Sequence, residues 1–302
     1  MLTVFQAIAP VFLLIMLGYG LRRGGIPSIE FWNLNDRLVY WVLMPALFFV
    51  KISEADLTSP ELISLATILY GSFFAALLIG LLISLRWEAF DGSSVLQGSA
   101  RFNTFIALAL AEALYGLPGL QLAVLGGAIL VPVVNISIVS VLSYRLGSKR
   151  GVLGELIRNP LIISIVAGVA FNLVGWQAVP VLHDMSRILG QAALPIMLMC
   201  VGANLKLRGL QAEVSPVVAS IIAKLGVFPA AALVIIYLLN PDQLTAEVAI
   251  LFAALPTGVA AYTLAREMGG NSSMMATIIT VQTLISFLTL PLSILLARML
   301  LF

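Results

Sequence analysis

A proline interrupts an apolar stretch that is long enough to cross a bilayer. Residues 246–269 read AEVAILFAALPTGVAAYTLAREMG, with Pro256 near the middle. Proline removes a helix hydrogen bond and clashes with the turn before it. In lipid, the freed backbone groups are tolerated only when buried in protein or lining a wet cavity. Leu255-Pro256-Thr257-Gly258 therefore reads as a broken transmembrane helix. Such breaks at corresponding places in two halves of a chain point to a carrier's binding site.

The rest of the chain fits a membrane setting. It has 302 residues, 61% hydrophobic and 10% charged; ordinary globular domains carry about 25% charge. The composition predicts an all-α polytopic membrane protein embedded in the lipid bilayer, with almost nothing outside it. No basic run is dense enough for nucleic acid. Cys200 and His183 are each the sole residue of their type, and His183 is taken as exposed. That leaves no disulfide, no metal or haem site and no cofactor. There is no H-E-x-x-H, G-x-S-x-G or Walker motif and no nucleophile–base pair. The chain thus reads as neither an enzyme nor a nucleotide-driven pump.

A span needs about 20 mostly apolar residues. Hydropathy predicts ten: 3–21, 36–52, 62–85, 99–116, 119–144, 159–176, 186–204, 214–239, 245–267 and 273–300. Lys and Arg concentrate on the cytoplasmic side. With the N-terminus outside, that side holds Arg22, Arg23, Arg37, Arg86, Arg101, Arg145, Lys149, Arg150, Arg158, Lys206, Arg208 and Arg266. Lys51, Arg187 and Arg298 stay outside. Both termini then lie outside.

The two halves share landmarks. Pro45 and Pro195 occupy matching places, as do Pro132 and Pro291, and AEALYG (111–116) parallels AREMG (265–269). Five spans is an odd number, so a second copy is inserted upside down. This predicts two inverted five-helix repeats, 1–145 and 159–302, with a linker over 146–158 and the Pro256 break in span nine.

The polar residues inside spans are the site candidates. Pro256, Thr257 and Gly258 form that break, although a membrane proline can also simply kink a helix. Asn103 and Thr104 fall at the equivalent place in span four. An apolar span holds an Asn only at a cost unless it is paired, either with a neighbouring helix or with a substrate carboxylate. Lys224 lies near mid-depth in span eight, where a lysine costs about 2.5–3.5 kcal/mol. Its partner is either helix-end carbonyls or an anionic substrate, and a group exchanging its proton there would link transport to pH. Asn135 and Gln282 neighbour the broken helices. Glu112 and Glu247 are placed at outer span ends, in solvent.

Four stretches carry a resemblance: FLLIMLGYGLRRGGI (12–26), LNDRLVYWVLMPALFF (34–49), RFNTFIALALAEALYG (101–116) and ALPTGVAAYTLAREMG (254–269). In these the chain resembles the auxin efflux carrier family, the bacterial relatives of plant PIN carriers, over essentially its full length. The resemblance implies a scaffold of spans 1, 2, 6 and 7, which also makes a homodimer. It implies a transport domain of spans 3–5 and 8–10 that slides as an elevator, with spans four and nine crossing as broken helices and substrate at their crossing. One departure stands out. Family members carry a proline and glycines in span four after the Asn; this chain has Phe105–Leu110. Asn103 alone is left to open that helix.

The resemblance implies secondary or facilitated transport of small organic anions, either malate- and malonate-like carboxylates or auxin-like acids, in a bacterial inner membrane with both termini periplasmic. Coupling to protons or sodium is open. The alternatives are a sodium-coupled symporter of the bile-acid type and a non-transporting receptor on the same fold, the latter suggested by the missing proline.

Overall fold

The computed structural model describes residues 2–147, 154, 158–207 and 212–301. Lys149, Arg150 and Arg208 of the expected cytoplasmic set lie outside the described residues. The chain is helical throughout what is described, with no strand.

The first helices are α1 (Leu2–Arg23), α2 (Ile29–Leu38), α3 (Met44–Ser53), α4 (Pro60–Ser84), α5 (Ala89–Ala100) and α6 (Thr104–Leu146). There follow α7 (Pro160–Val174), α8 (Leu182–Ala203), α9 (Val214–Ile222), α10 (Phe228–Leu239), α11 (Gln243–Ala254), α12 (Ala260–Met268) and α13 (Ser272–Leu301). π-helical turns at Val39–Leu43 and Ala223–Val227 join α2 to α3 and α9 to α10. Local chemistry marks the boundaries. Asn159 and Asp242 accept first-turn N–H groups of α7 and α11 through their side chains, and Pro60 opens α4. Gly147, Gly175 and Gly269 close α6, α7 and α12 in the left-handed region that glycine adopts freely.

Ten spans in two inverted five-helix repeats are overturned. Among the described residues, six helices are long and apolar enough to cross a membrane: Val4–Arg23, Pro60–Ser84, Ala89–Leu146, Leu182–Ala203, Val214–Leu239 and Ser272–Leu301. The expected span 36–52 is split between α2, a π-helical turn and α3. The expected span 159–176 is the 15-residue α7, about 22 Å long at about 1.5 Å per residue, short of a hydrocarbon core of about 30 Å. The expected span 245–267 is cut at 255–258 into α11 and α12. The expected spans 99–116 and 119–144 belong to one apolar run that begins at Ala89. Within that run the helix is open at 101–103 and kinked at Gly116, whose φ is 65°.

The helices pack as two groups. One holds α1, α2, α3, α7 and α8, with α1 along α8 and α3 against α7 and α8. Backbones touch in the α1–α8 contact. A methyl group on Gly18 would collide with the backbone of Met199, and one on Gly202 with that of Ile15. Small residues permit this approach where membrane helices gain from close packing. The other group holds α4, α5, α6 and α9 to α13, with α11 surrounded by α4, α6, α10 and α13. Every residue of α5 from Gly92 to Ala100 is buried, as is α11 from Thr245 to Ala254.

Candidate functional site

Two helices are broken, and the breaks meet. α5 ends at Ala100, Arg101 to Asn103 are unwound, and α6 starts at Thr104. α11 ends at Ala254, Leu255 to Gly258 are unwound, and α12 starts at Ala260. The first break needs no proline. Asn103 takes an extended conformation, and its Oδ1 accepts from the N–H groups of Phe105 at 3.0 Å and Ile106 at 3.3 Å. An asparagine in that role caps a new helix rather than continuing the old one.

The breaks are joined directly. The Asn103 N–H donates to the Pro256 carbonyl at 2.8 Å. The Thr257 hydroxyl donates to the Gly98 carbonyl at 3.0 Å. Gln282 on α13 spans both: its Oε1 accepts from the Thr257 N–H at 2.9 Å, and its Nε2 donates to Gly98 O at 2.8 Å. Gly258 has no room for a side chain, because a Cβ there would lie 2.7 Å from Phe102 O. Phe102 and Phe252 pack edge to face beside the junction, with ring centroids 5.5 Å apart.

Four half-helix ends converge here, the C-termini of α5 and α11 and the N-termini of α6 and α12. Carbonyl ends are negative and amide ends positive. A buried basic side chain meets the carbonyl end of α11, and a second stands at the C-cap of α5. Lys224, fully buried on the π-helical turn, donates from Nζ to Ala253 O at 3.0 Å, and Nζ lies 3.7 Å from the centroid of the Phe228 ring. Arg101, 9% exposed, donates from one guanidinium nitrogen to Asn135 Oδ1 at 3.0 Å. The N-terminus of α12 has no side-chain cap.

Of the residues singled out in the sequence, Asn103, Thr104, Pro256, Thr257, Gly258 and Gln282 come together at the crossing. Asn135 reaches it through Arg101, and Lys224 through Ala253. Two participants were missed. Arg101 was placed in a cytoplasmic loop, and Gln97 fell before the expected span. Gln97 is fully buried, and neither its Oε1 nor its Nε2 has a hydrogen-bond partner among the described residues. Asn103 Nδ2 is likewise without one. Leaving a buried polar group unmet costs about 1–3 kcal/mol.

Two further expectations need correction. Glu247 is not solvated. It is buried, receives Arg298 on both carboxylate oxygens (2.9 and 2.6 Å), and accepts from Gln243 at 2.7 Å. Glu112 is exposed, as expected. His183 is buried rather than exposed, and it lies 3.0 Å from Ser53 Oγ. That pair is not an activated nucleophile: Ser53 Oγ donates to Val50 O, and His183 Nδ1 accepts the Val179 N–H. With the Ser53 hydrogen committed to Val50 O, the imidazole has none to take from that hydroxyl.

Open clefts lie elsewhere. One of about 410 Å³ sits between Leu82, Trp87 and Ala219, and one of about 260 Å³ between α1 and α13. Neither is lined by a residue of the two breaks, and the crossing itself is closed in this conformation.

Comparison with known proteins gives this geometry a context. Residues 147–294 match the family described as membrane transport protein. A protein of Rhizobium meliloti (strain 1021), provisionally named a malonate transporter, is 29% identical over 93% of this chain and 92% of its own length. An uncharacterized transporter of Methanothermobacter thermautotrophicus is 25% identical over 95% of this chain and 96% of its own length. Both likenesses extend across the two breaks, well beyond the family match. On these likenesses the chain is a multi-pass membrane transporter of small molecules, not an enzyme.

Proposed function

We propose that the protein is a secondary carrier of small organic anions, carboxylates above all, with its substrate at the crossing of the two broken helices. The observation that carries this reading is the junction itself. The N-termini of α6 and α12 meet beside Arg101, and helix N-termini favour anions. The relative named as a malonate transporter supports carboxylates. Auxin-like acids remain a finer possibility within the same chemistry.

The movement fits an elevator. Both breaks, Lys224 and Gln282 belong to the group of α4 to α6 and α9 to α13, so the site travels as one body when that group slides along the other. In this reading α1 to α3, α7 and α8 form the fixed scaffold and the contact of a homodimer. The receptor alternative loses its motive, since the first helix is open without a proline.

Uptake of radiolabelled malonate into proteoliposomes tests the proposal, with pH and sodium gradients imposed in turn. Saturable uptake, competed by other small dicarboxylates and indifferent to neutral analogues, is expected. The gradient that accelerates it names the coupling ion. No uptake or exchange of any carboxylate, in protein that remains folded, would overturn the reading.

A further inference from the structure

We propose that Gln97 is a ligand-binding residue, held polar and unpaired so that it can take a carboxyl group at the first break. This rests on the carrier reading and names a determinant of its substrate class. Gln97 stands in the last turn of α5, whose C-terminal N–H, that of Arg101, donates to Gln97 O at 2.9 Å. Its side chain is fully buried, and both ends of the amide lack partners among the described residues. Gln282 is the internal contrast. It is equally buried at the same crossing, yet its oxygen accepts one hydrogen bond and its nitrogen donates two. A glutamine that only tied helices together would look like Gln282.

The neighbours of Gln97 suit an acid. The Arg101 N–H closes the last turn onto Gln97 O, so the two residues stand one turn apart at the approach to the break. Arg101 contributes a buried positive charge. Beyond the break, Asn103 Nδ2 is a second buried donor without a partner. Together these offer a cation and two amide N–H₂ groups to carboxylate oxygens. Gln97 Oε1 adds an acceptor, which needs a hydrogen to receive. The matching ligand is a small acid with a donor beside its carboxylate: a hydroxy acid, or a dicarboxylic acid that keeps one proton. A simple monocarboxylate leaves the acceptor unmet, and the site should discriminate against it.

An apolar side chain of the same shape tests this, because function and stability then move in opposite directions. Removing an unmet buried amide relieves its desolvation, whereas removing a bonded one breaks contacts. In purified protein, Gln97→Met or Gln97→Leu should melt no lower than wild type without ligand, and up to about 2–4 °C higher. The same variants should need at least tenfold more malonate or malate to raise the melting temperature. Gln282→Met should melt lower. Wild type should respond to malonate at far lower concentration than to propionate. If both Gln97 variants melt lower or fail to fold, the amide is structural and the proposal is wrong. If they fold and bind malonate like wild type, the proposal fails while the carrier reading stands. If wild type itself responds to no carboxylate, the carrier reading fails and this assignment goes with it.

Discussion

The backbone N–H of Asn103 donates to the carbonyl of Pro256 at 2.8 Å, so the two unwound stretches share a hydrogen bond. Unwinding frees backbone groups that lipid cannot satisfy. Here each break supplies what the other lacks, and Gln282 adds a clamp from α13. The junction is therefore one unit, and a change at either break is felt at both.

Pro256→Ala tests whether the second break matters to transport. Alanine restores the missing amide and lets the α11 helix wind on towards α12. Winding would draw the carbonyl of residue 256 into its own helix and away from Asn103. The variant should fold, with a melting temperature equal to or above wild type, and its malonate uptake should fall at least tenfold. Initial rates in proteoliposomes decide it; uptake at the wild-type rate would mean the break is not used.

Lys224→Met separates two roles of the buried lysine. Nζ is already committed to Ala253 O and to the Phe228 ring. Removing the amine while keeping the stem leaves the Ala253 carbonyl at the end of α11 without its donor. Leaving a buried acceptor unmet costs about 1–3 kcal/mol, so the variant should lose stability in that range and keep its malonate affinity within about threefold. Denaturation together with ligand titration measures both. Unchanged stability with lost affinity would instead make Lys224 a substrate contact.

The unequal legibility of this site has a physical cause. Proline and glycine speak through backbone geometry, so Leu255 to Gly258 announced a break wherever the helix lay. Asn103, Thr257 and Gln282 stood out as polar residues in apolar runs. Hydropathy, by contrast, measures fitness for lipid, and α5 hardly meets lipid. Its stretch GSSVLQGSA (92–100) is small and polar and is buried against protein on all sides. A lipid scale therefore started the span at 99 and passed over Gln97. Glu247 failed for a related reason: its neutralising partner, Arg298, is 51 residues away in sequence. The count of ten spans failed because α7 and the halves of the broken helices are apolar without being long.

A double-mutant cycle on Glu247 and Arg298 tests that pairing. Glu247→Gln and Arg298→Gln each break a bidentate contact. The Glu247 side chain is 3% exposed and that of Arg298 38%, so water softens the loss on the arginine side only. The coupling energy should be about 1–2 kcal/mol, within the usual range for contacting residues. The two residues tie the start of α11 to the end of α13. Equal and additive losses would show that they do not act as a pair.

Asn103→Asp gives the sharpest separation of fold from function. Aspartate keeps the oxygen that caps α6, and its charge suits a helix N-terminus. The Asn103 Nδ2 has no partner to lose among the described residues. Stability should therefore hold, and Arg101 nearby offsets the new charge. The same carboxylate stands where the carrier reading seats an anion, so malonate affinity should fall by tenfold or more. Asn103→Ala is the complement: it removes the cap, which costs about 0.5–2 kcal/mol, but adds no charge, so binding should suffer less than in the aspartate variant. Melting curves with and without malonate read all four numbers. If Asn103→Asp binds malonate as wild type does, the anion does not sit at this break.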